Sequence, residues 1–265
     1  MSRDFEGKVV VITGGGGALG GAVAITVAKG GAKVVLVDLR QSAMDETKKK
    51  IEDAAPGAEV FTITADCTKA SEVKRYVDES VKKFGRIDGF HNNAGAEALT
   101  LPLTETDDAN FEKLIAINLM GTYYGLKYVL KVMKEQGSGY IVNTSSCSGI
   151  LACPNITPYV ATKHAVVGLT RSAAIEYGEF GISVNAVAPG AIMTPMLKAS
   201  FVDMAGPGGN WEDVAKAIAQ PNPKKRLGQD NEVGELVAFL LSGKAPYVNG
   251  DIISIDGGQS AAYFS

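Results

Sequence analysis

Tyr159 and Lys163 stand one helical turn apart, and Ser146 lies thirteen positions before the tyrosine. A phenol held beside an ammonium is a proton donor whose acidity can be drawn toward neutrality. A free tyrosine titrates near 10, so Lys163 on the same helix face is expected to favour the phenolate. Far upstream, Thr13-Gly14-Gly15-Gly16-Gly17-Ala18-Leu19-Gly20 offers glycines that let the main chain approach a pyrophosphate. Together these residues imply hydride transfer between a dinucleotide and a carbon-oxygen bond. Tyr159 is then the acid in ketone reduction and the base in alcohol oxidation.

The glycine stretch follows an apolar run and opens a helical one, the context in which such a fingerprint has meaning. Gly14, Gly17, Leu19 and Gly20 are its expected cofactor contacts. No Lys-Ser or Lys-Thr pair follows the last glycine, which excludes a triphosphate P-loop. Asp38 ends the second apolar run, where a carboxylate accepts from both adenosine ribose hydroxyls and repels a 2′-phosphate. It points to NAD over NADP, unless it merely ends the strand or is neutralised by Arg40. Asp66, after the third run, serves either the adenine amino group or a local turn.

These residues sit on alternating elements. The runs 9–12, 34–37, 60–63, 89–91, 140–143, 183–187 and 252–255 read as strands, and their nearly continuous apolar character means a sheet covered on both faces. Helical periodicity over 19–29, 44–54, 71–84, 110–135, 159–177 and 232–241 supplies the crossovers. The expected architecture is a single-domain α/β fold, a doubly wound (Rossmann) seven-stranded parallel sheet spanning 1–265. Residues 193–229, punctuated by Pro195, Pro207, Gly208, Gly209, Pro221 and Pro223, read as an irregular substrate lid.

Composition narrows the partner. The chain has 265 residues, 46% hydrophobic, with a formal net charge of -3, which gives no cationic field for nucleic acid. The three cysteines are too few and too irregularly spaced for a disulfide framework, and no zinc pattern appears, so no metal is expected. Arg3, Asp4 and Glu6 interrupt the start of the chain, and no segment approaches a membrane span. The expectation is a cytoplasmic protein acting on a small molecule.

The order and spacing of these residues resemble the short-chain dehydrogenase/reductase family over nearly the whole chain. The resemblance rests on the glycine turn, Asn92-Asn93-Ala94-Gly95, Asn118, Ser146, Tyr159-x-x-x-Lys163 and Pro189-Gly190. One position departs, for Ala18 stands where the family has glycine. The resemblance implies a substrate-holding role for Ser146, although spacing leaves Ser145 and Ser148 as neighbours. It also implies that Lys163 bonds the nicotinamide ribose, that the Asn118 carbonyl holds a relay water while its side chain fixes a helix kink, and that Pro189, Ile192 and Thr194 border the nicotinamide. Asn93 and Gly95 shape the turn beside the adenine ribose, and Asn92 bonds neighbouring backbone.

Narrower matches, 135–139, 143–144, 188–192, 247–249 and 256–263, resemble NAD-dependent reductases of cyclic ketones within that family. They imply a cyclic or bulky apolar ketone or secondary alcohol, and a homotetramer. Met193, Met196, Leu197, Phe201, Met204 and Trp211 line a lid or serve as core and subunit contacts. Glu97, Cys147, Cys153, Asn155 and Ile156 are further pocket candidates. His91 and His164 form no cluster, and His164 points about 100° away from Lys163 around the helix. The rival readings are an NAD-sensing regulator without turnover, a sugar dehydrogenase and an acyl ketoreductase; an intact proton donor argues against the first.

Overall fold

The computed structural model describes residues 4–97 and 99–261; Arg3 and the end of the matching segment at 262–263 lie outside them. Seven strands make one parallel sheet in the order β3-β2-β1-β4-β5-β6-β7. They are β1 (Val9–Thr13), β2 (Lys33–Asp38), β3 (Val60–Thr64), β4 (Gly89–Asn92), β5 (Gly139–Thr144), β6 (Ile182–Pro189) and β7 (Ile252–Ile255). The order reverses between β1 and β4, and ligands of such sheets bind beyond the strand ends at that point.

Strand alternation builds two cores. Val10, Ile12, Val34 and Leu36 face helices α1 (Ala18–Lys29), α2 (Gln41–Ala54) and, later in the chain, the helix at Asp230–Leu241. Val9, Val11, Val35 and Val37 face the opposite layer, which contains α3 (Ala70–Phe84) and the helices at Gly121–Gln136 and Thr157–Tyr177. Both faces are dry, which is why the strands read as unbroken apolar runs.

The span expected as one helix from 110 to 135 is three pieces. α4 (Asp108–Leu114) passes through a π-helical stretch, Ile115–Met120, into α5 (Gly121–Gln136). Asn118 lies inside that wide turn, and its carbonyl accepts from Thr122 Oγ1 at 2.7 Å. π-Bulges recur at functional sites. α6 (Thr157–Tyr177) begins two residues before Tyr159, with Pro158 in its first turn.

The segment 193–229 is not irregular throughout. It contains α7 (Pro195–Ala205) and α8 (Trp211–Ala219), and α9 (Asp230–Leu241) follows. Thr194 Oγ1 accepts from Leu197 N at 3.1 Å and Asn210 Oδ1 from Glu212 N at 3.0 Å, so each helix has a side-chain cap. Pro195 occupies the first turn, where its missing N–H costs nothing. Read as a breaker, that proline is a starter.

Candidate active site

Above the strand ends, on the β1/β4 reversal, opens a cleft of about 990 Å³. At one end is the N-terminus of α1. Its N-cap, Gly17, provides no side-chain acceptor, so the first-turn N–H groups lack a side-chain cap, and Ala18 and Leu19 of that turn line the cleft. Donors at a positive helix end fit a pyrophosphate.

Gly14 takes φ +64°, and a Cβ there would come within 2.8 Å of Asn93 Nδ2. A Cβ on Gly20 would overlap the Gly14 carbonyl. Gly20 is thus a packing glycine behind the turn, while Gly14, Gly17 and Leu19 line the cleft. Ala18 opens α1 in ordinary helical conformation and needs no glycine.

Asp38 rims the same end. Its Oδ2 accepts from Gly16 N and its Oδ1 from Arg40 N, each at 3.1 Å, tying the glycine turn to β2. The Arg40 side chain makes no ion pair with it. Asp66 also lines the cleft, but its Oδ1 is held by Thr68 N at 3.0 Å and Thr68 Oγ1 at 2.7 Å. Burial pushes its carboxyl up, yet these bonds and Lys69 outweigh burial and hold it below the ordinary value. The turn reading of Asp66 is the one built into this geometry.

Asn93 Nδ2 donates to the Thr13 carbonyl at 3.0 Å, and its N–H to Thr13 Oγ1 at 2.9 Å. Asn92 points elsewhere, with Nδ2 donating to the Thr122 carbonyl and Asn143 Oδ1. Gly95 lies close to both Asn118 and Lys163: a Cβ there would be 3.3 Å from Asn118 Oδ1 and 3.4 Å from Lys163 Nζ.

Ser146, Tyr159 and Lys163 meet at the other end of the cleft. The Ser146 hydroxyl accepts from Ser148 N at 3.1 Å, whereas Ser145 Oγ donates to the Lys163 carbonyl at 3.0 Å. Ser145 is therefore committed to backbone. Lys163 is 4% exposed; its Nζ donates to the Thr144 carbonyl at 2.9 Å and lies 5.6 Å from the Tyr159 ring centre. Loss of hydration lowers Lys163 to about 8, with the Glu97 charge pulling it back up.

Desolvation raises the Tyr159 phenol, opposed by its hydrogen bond to Ser146 and reinforced by the charge of Glu97. The expected drop toward neutrality is thus not achieved by protein groups alone. The cause is burial, which disfavours a phenolate more than the hydrogen bond with Ser146 favours it.

Asn118 is 1% exposed and its side chain is saturated. Oδ1 accepts from Ala96 N at 2.8 Å, and Nδ2 donates to the Ala96 carbonyl at 2.9 Å and Thr162 Oγ1 at 3.2 Å. It clamps the loop after β4 to α6. Pro189, Ile192 and Thr194 line the cleft; Ile192 pairs with Gly228 in a lone bridge, and the Thr194 hydroxyl is the α7 cap.

Of the lid candidates, Met196 and Leu197 line the cleft, while Phe201 is fully buried and Met193, Met204 and Trp211 lie off it. Glu97 lines it too, unlike Cys147, Cys153, Asn155 and Ile156. Burial raises the Cys147 thiol, which disfavours the nucleophilic thiolate. His91 is buried in β4 and pushed down to about 3 by burial; His164 is exposed. Among the described residues no group of His, Cys, Asp and Glu has metal-site geometry. No helix there is long and apolar enough to cross a membrane.

The sequence reading gave no role of their own to Thr13 and Thr144. Thr13 Oγ1 accepts from both Asn93 N and Ala94 N, and Thr144 Oγ1 bonds His91 and Asn93 while its carbonyl holds Lys163. Their only sequence signal is a hydroxyl at a strand end.

A family profile described as Enoyl-(Acyl carrier protein) reductase matches residues 16–260. The chain belongs to the short-chain dehydrogenase/reductase family, enzymes that move a hydride between a nicotinamide cofactor and an alcohol or ketone. It is 48% identical to levodione reductase of Leifsonia aquatica over 98% of this chain and 96% of that one. The crystal structure of levodione reductase superposes with TM-score 0.95, covering 98% of this chain and 100% of that chain. Cyclohexanol dehydrogenase of Acinetobacter sp. (strain SE19) is 34% identical over 98% of each chain. NAD+-bound xylitol dehydrogenase is 32% identical, with TM-score 0.91 over 96% of this chain and 99% of that one.

Proposed function

We propose that this enzyme uses NAD(H) in preference to NADP(H) and interconverts a cyclic or bulky apolar ketone with its secondary alcohol. One observation carries the reading: Ser146, Tyr159 and Lys163 converge at one end of a cleft whose other end presents the uncapped N-terminus of α1 beside Asp38. Similarity to levodione reductase and cyclohexanol dehydrogenase supports the substrate class, and the NAD+-bound xylitol dehydrogenase supports the cofactor.

Gly14, Gly17, Leu19 and the α1 N-terminus hold the pyrophosphate, with Gly20 packed behind. Asp38 takes the adenosine ribose and excludes a 2′-phosphate by charge repulsion. Asn93, Gly95 and Asp66 shape the walls, and Pro189, Ile192 and Thr194 border the nicotinamide. The bound nicotinamide supplies or accepts the hydride. Ser146 holds the substrate oxygen by a hydrogen bond. Tyr159, protonated at neutral pH because it is desolvated, gives that oxygen its proton in reduction. Lys163 bonds the nicotinamide ribose and places a cation where oxidation needs a phenolate, and Asn118 keeps the loop and α6 in register.

Residues 193–229 act as the lid. The protein works as a cytoplasmic homotetramer, a reading supported by exposed Phe111 and Tyr123 on α4 and α5. The test follows NADH absorbance with cyclic ketones and secondary alcohols, with Tyr159→Phe as control. Undiminished turnover by that variant would remove the acid-base assignment, and a larger kcat/KM with NADP would overturn the role of Asp38.

A further inference from the structure

Glu97 is the acidic residue at the reacting end of the cleft. The other carboxylates lining it, Asp38, Glu46, Asp66, Asp230 and Glu235, are carried by β2, α2, the turn after β3 and α9. Glu97 alone among carboxylates acts on both Tyr159 and Lys163 through its charge. Met196 and Leu197 of α7, which line the same cleft, are apolar.

Glu97 is also held. Its Oε2 accepts from Ser200 Oγ on α7 at 3.0 Å, a bond between the loop after β4 and the lid helix. The second oxygen, Oε1, has no hydrogen-bond partner among the described residues. A carboxylate fixed by one oxygen and open at the other is a ready acceptor in a partly apolar pocket.

We propose that Glu97 is the specificity-determining residue of this cleft, accepting a hydrogen bond from a hydroxyl on the substrate ring away from the reacting carbon. The preferred substrates are then cyclic diols and hydroxyketones over unsubstituted cyclic alcohols and ketones. Ring carboxylates are disfavoured, because a second anion beside Glu97 meets like-charge repulsion, moderated by solvent at this exposed side chain. Ser200 is the positioning residue that orients the carboxylate. This inference rests on the alcohol-ketone reading above and adds the second polar group that the substrate carries.

The test measures kcat and KM with saturating NAD for cyclohexane-1,4-diol and cyclohexanol. The variants are Glu97→Gln, Glu97→Met and Ser200→Ala. The wild type is expected to favour the diol in kcat/KM by about tenfold, the effect of one hydrogen bond to a charged acceptor. Glu97→Met should bring the diol-to-cyclohexanol ratio of kcat/KM, taken within the variant, to about one, with the lost preference appearing as a raised KM for the diol relative to cyclohexanol. Glu97→Gln, which keeps an amide acceptor, should retain part of it, and Ser200→Ala should weaken it.

Turnover of both alcohols with an unchanged ratio in Glu97→Met would overturn the role of Glu97 alone. Turnover of neither by the wild type would overturn this inference together with the alcohol-ketone reading.

Discussion

The Lys163 ammonium donates to the Thr144 carbonyl at 2.9 Å while standing 5.6 Å from the centre of the Tyr159 ring. The amine is thus anchored to the end of β5. Burial lowers it from 10.5 to about 8, so between those values the unfolded chain binds the proton that the folded one releases. Stability from this group therefore rises with pH across that window and is lost as pH falls through about 8. Against Lys163→Met, cofactor-free wild type should gain up to roughly 3 kcal/mol between pH 8 and 10.5. Urea denaturation at stepped pH reads this out; a flat difference would contradict the burial cost.

Asp38 holds Gly16 N and Arg40 N while lining the cleft, where the proposed function gives it the adenosine ribose. Asp38→Asn retains one acceptor oxygen and removes the charge. The KM for NAD should rise about tenfold with kcat little changed, and the NADP/NAD ratio of kcat/KM should increase. Steady-state kinetics with both cofactors decides it.

Asn118→Ala removes all three side-chain bonds of the clamp and strands the Ala96 N–H and carbonyl. The expected loss is roughly 2 to 4 kcal/mol, since orphaned buried groups cost more than the bonds themselves yield. Hydrogen exchange should rise first in the loop after β4. Unchanged protection there would place the clamp elsewhere.

Ala18 and Gly20 should respond oppositely to replacement. Gly20→Ala puts a methyl into the Gly14 carbonyl, where backbone must move, and should cost cofactor affinity and several degrees of Tm. Ala18→Gly lies in the first turn of α1 with no backbone constraint and should change stability by less than about 1 kcal/mol. Calorimetry and NAD titration compare the two.

Much of this was legible because it is written locally. Tyr159 and Lys163 share a face by helical period, and Val9 to Ile12 announce a doubly covered strand by composition. The glycine turn was readable down to the departure at Ala18. The helices of 193–229 were not, because Pro195 carries one signal for stopping and another for starting, and the choice is made by the Thr194 cap. Asp66 carried two readings that only the position of Thr68 separates.

By itself, then, the sequence determined the strands, the crossovers, the glycine turn and the tyrosine-lysine pair, since each depends on a period or spacing of a few residues. Tertiary structure alone decided that Ser145 is committed to the Lys163 carbonyl, what anchors Lys163, which way Tyr159 shifts, and that Glu97 meets Ser200 of α7. Desolvation and hydrogen bonds between segments far apart in the chain are set by how the layers pack, and no local pattern carries that information.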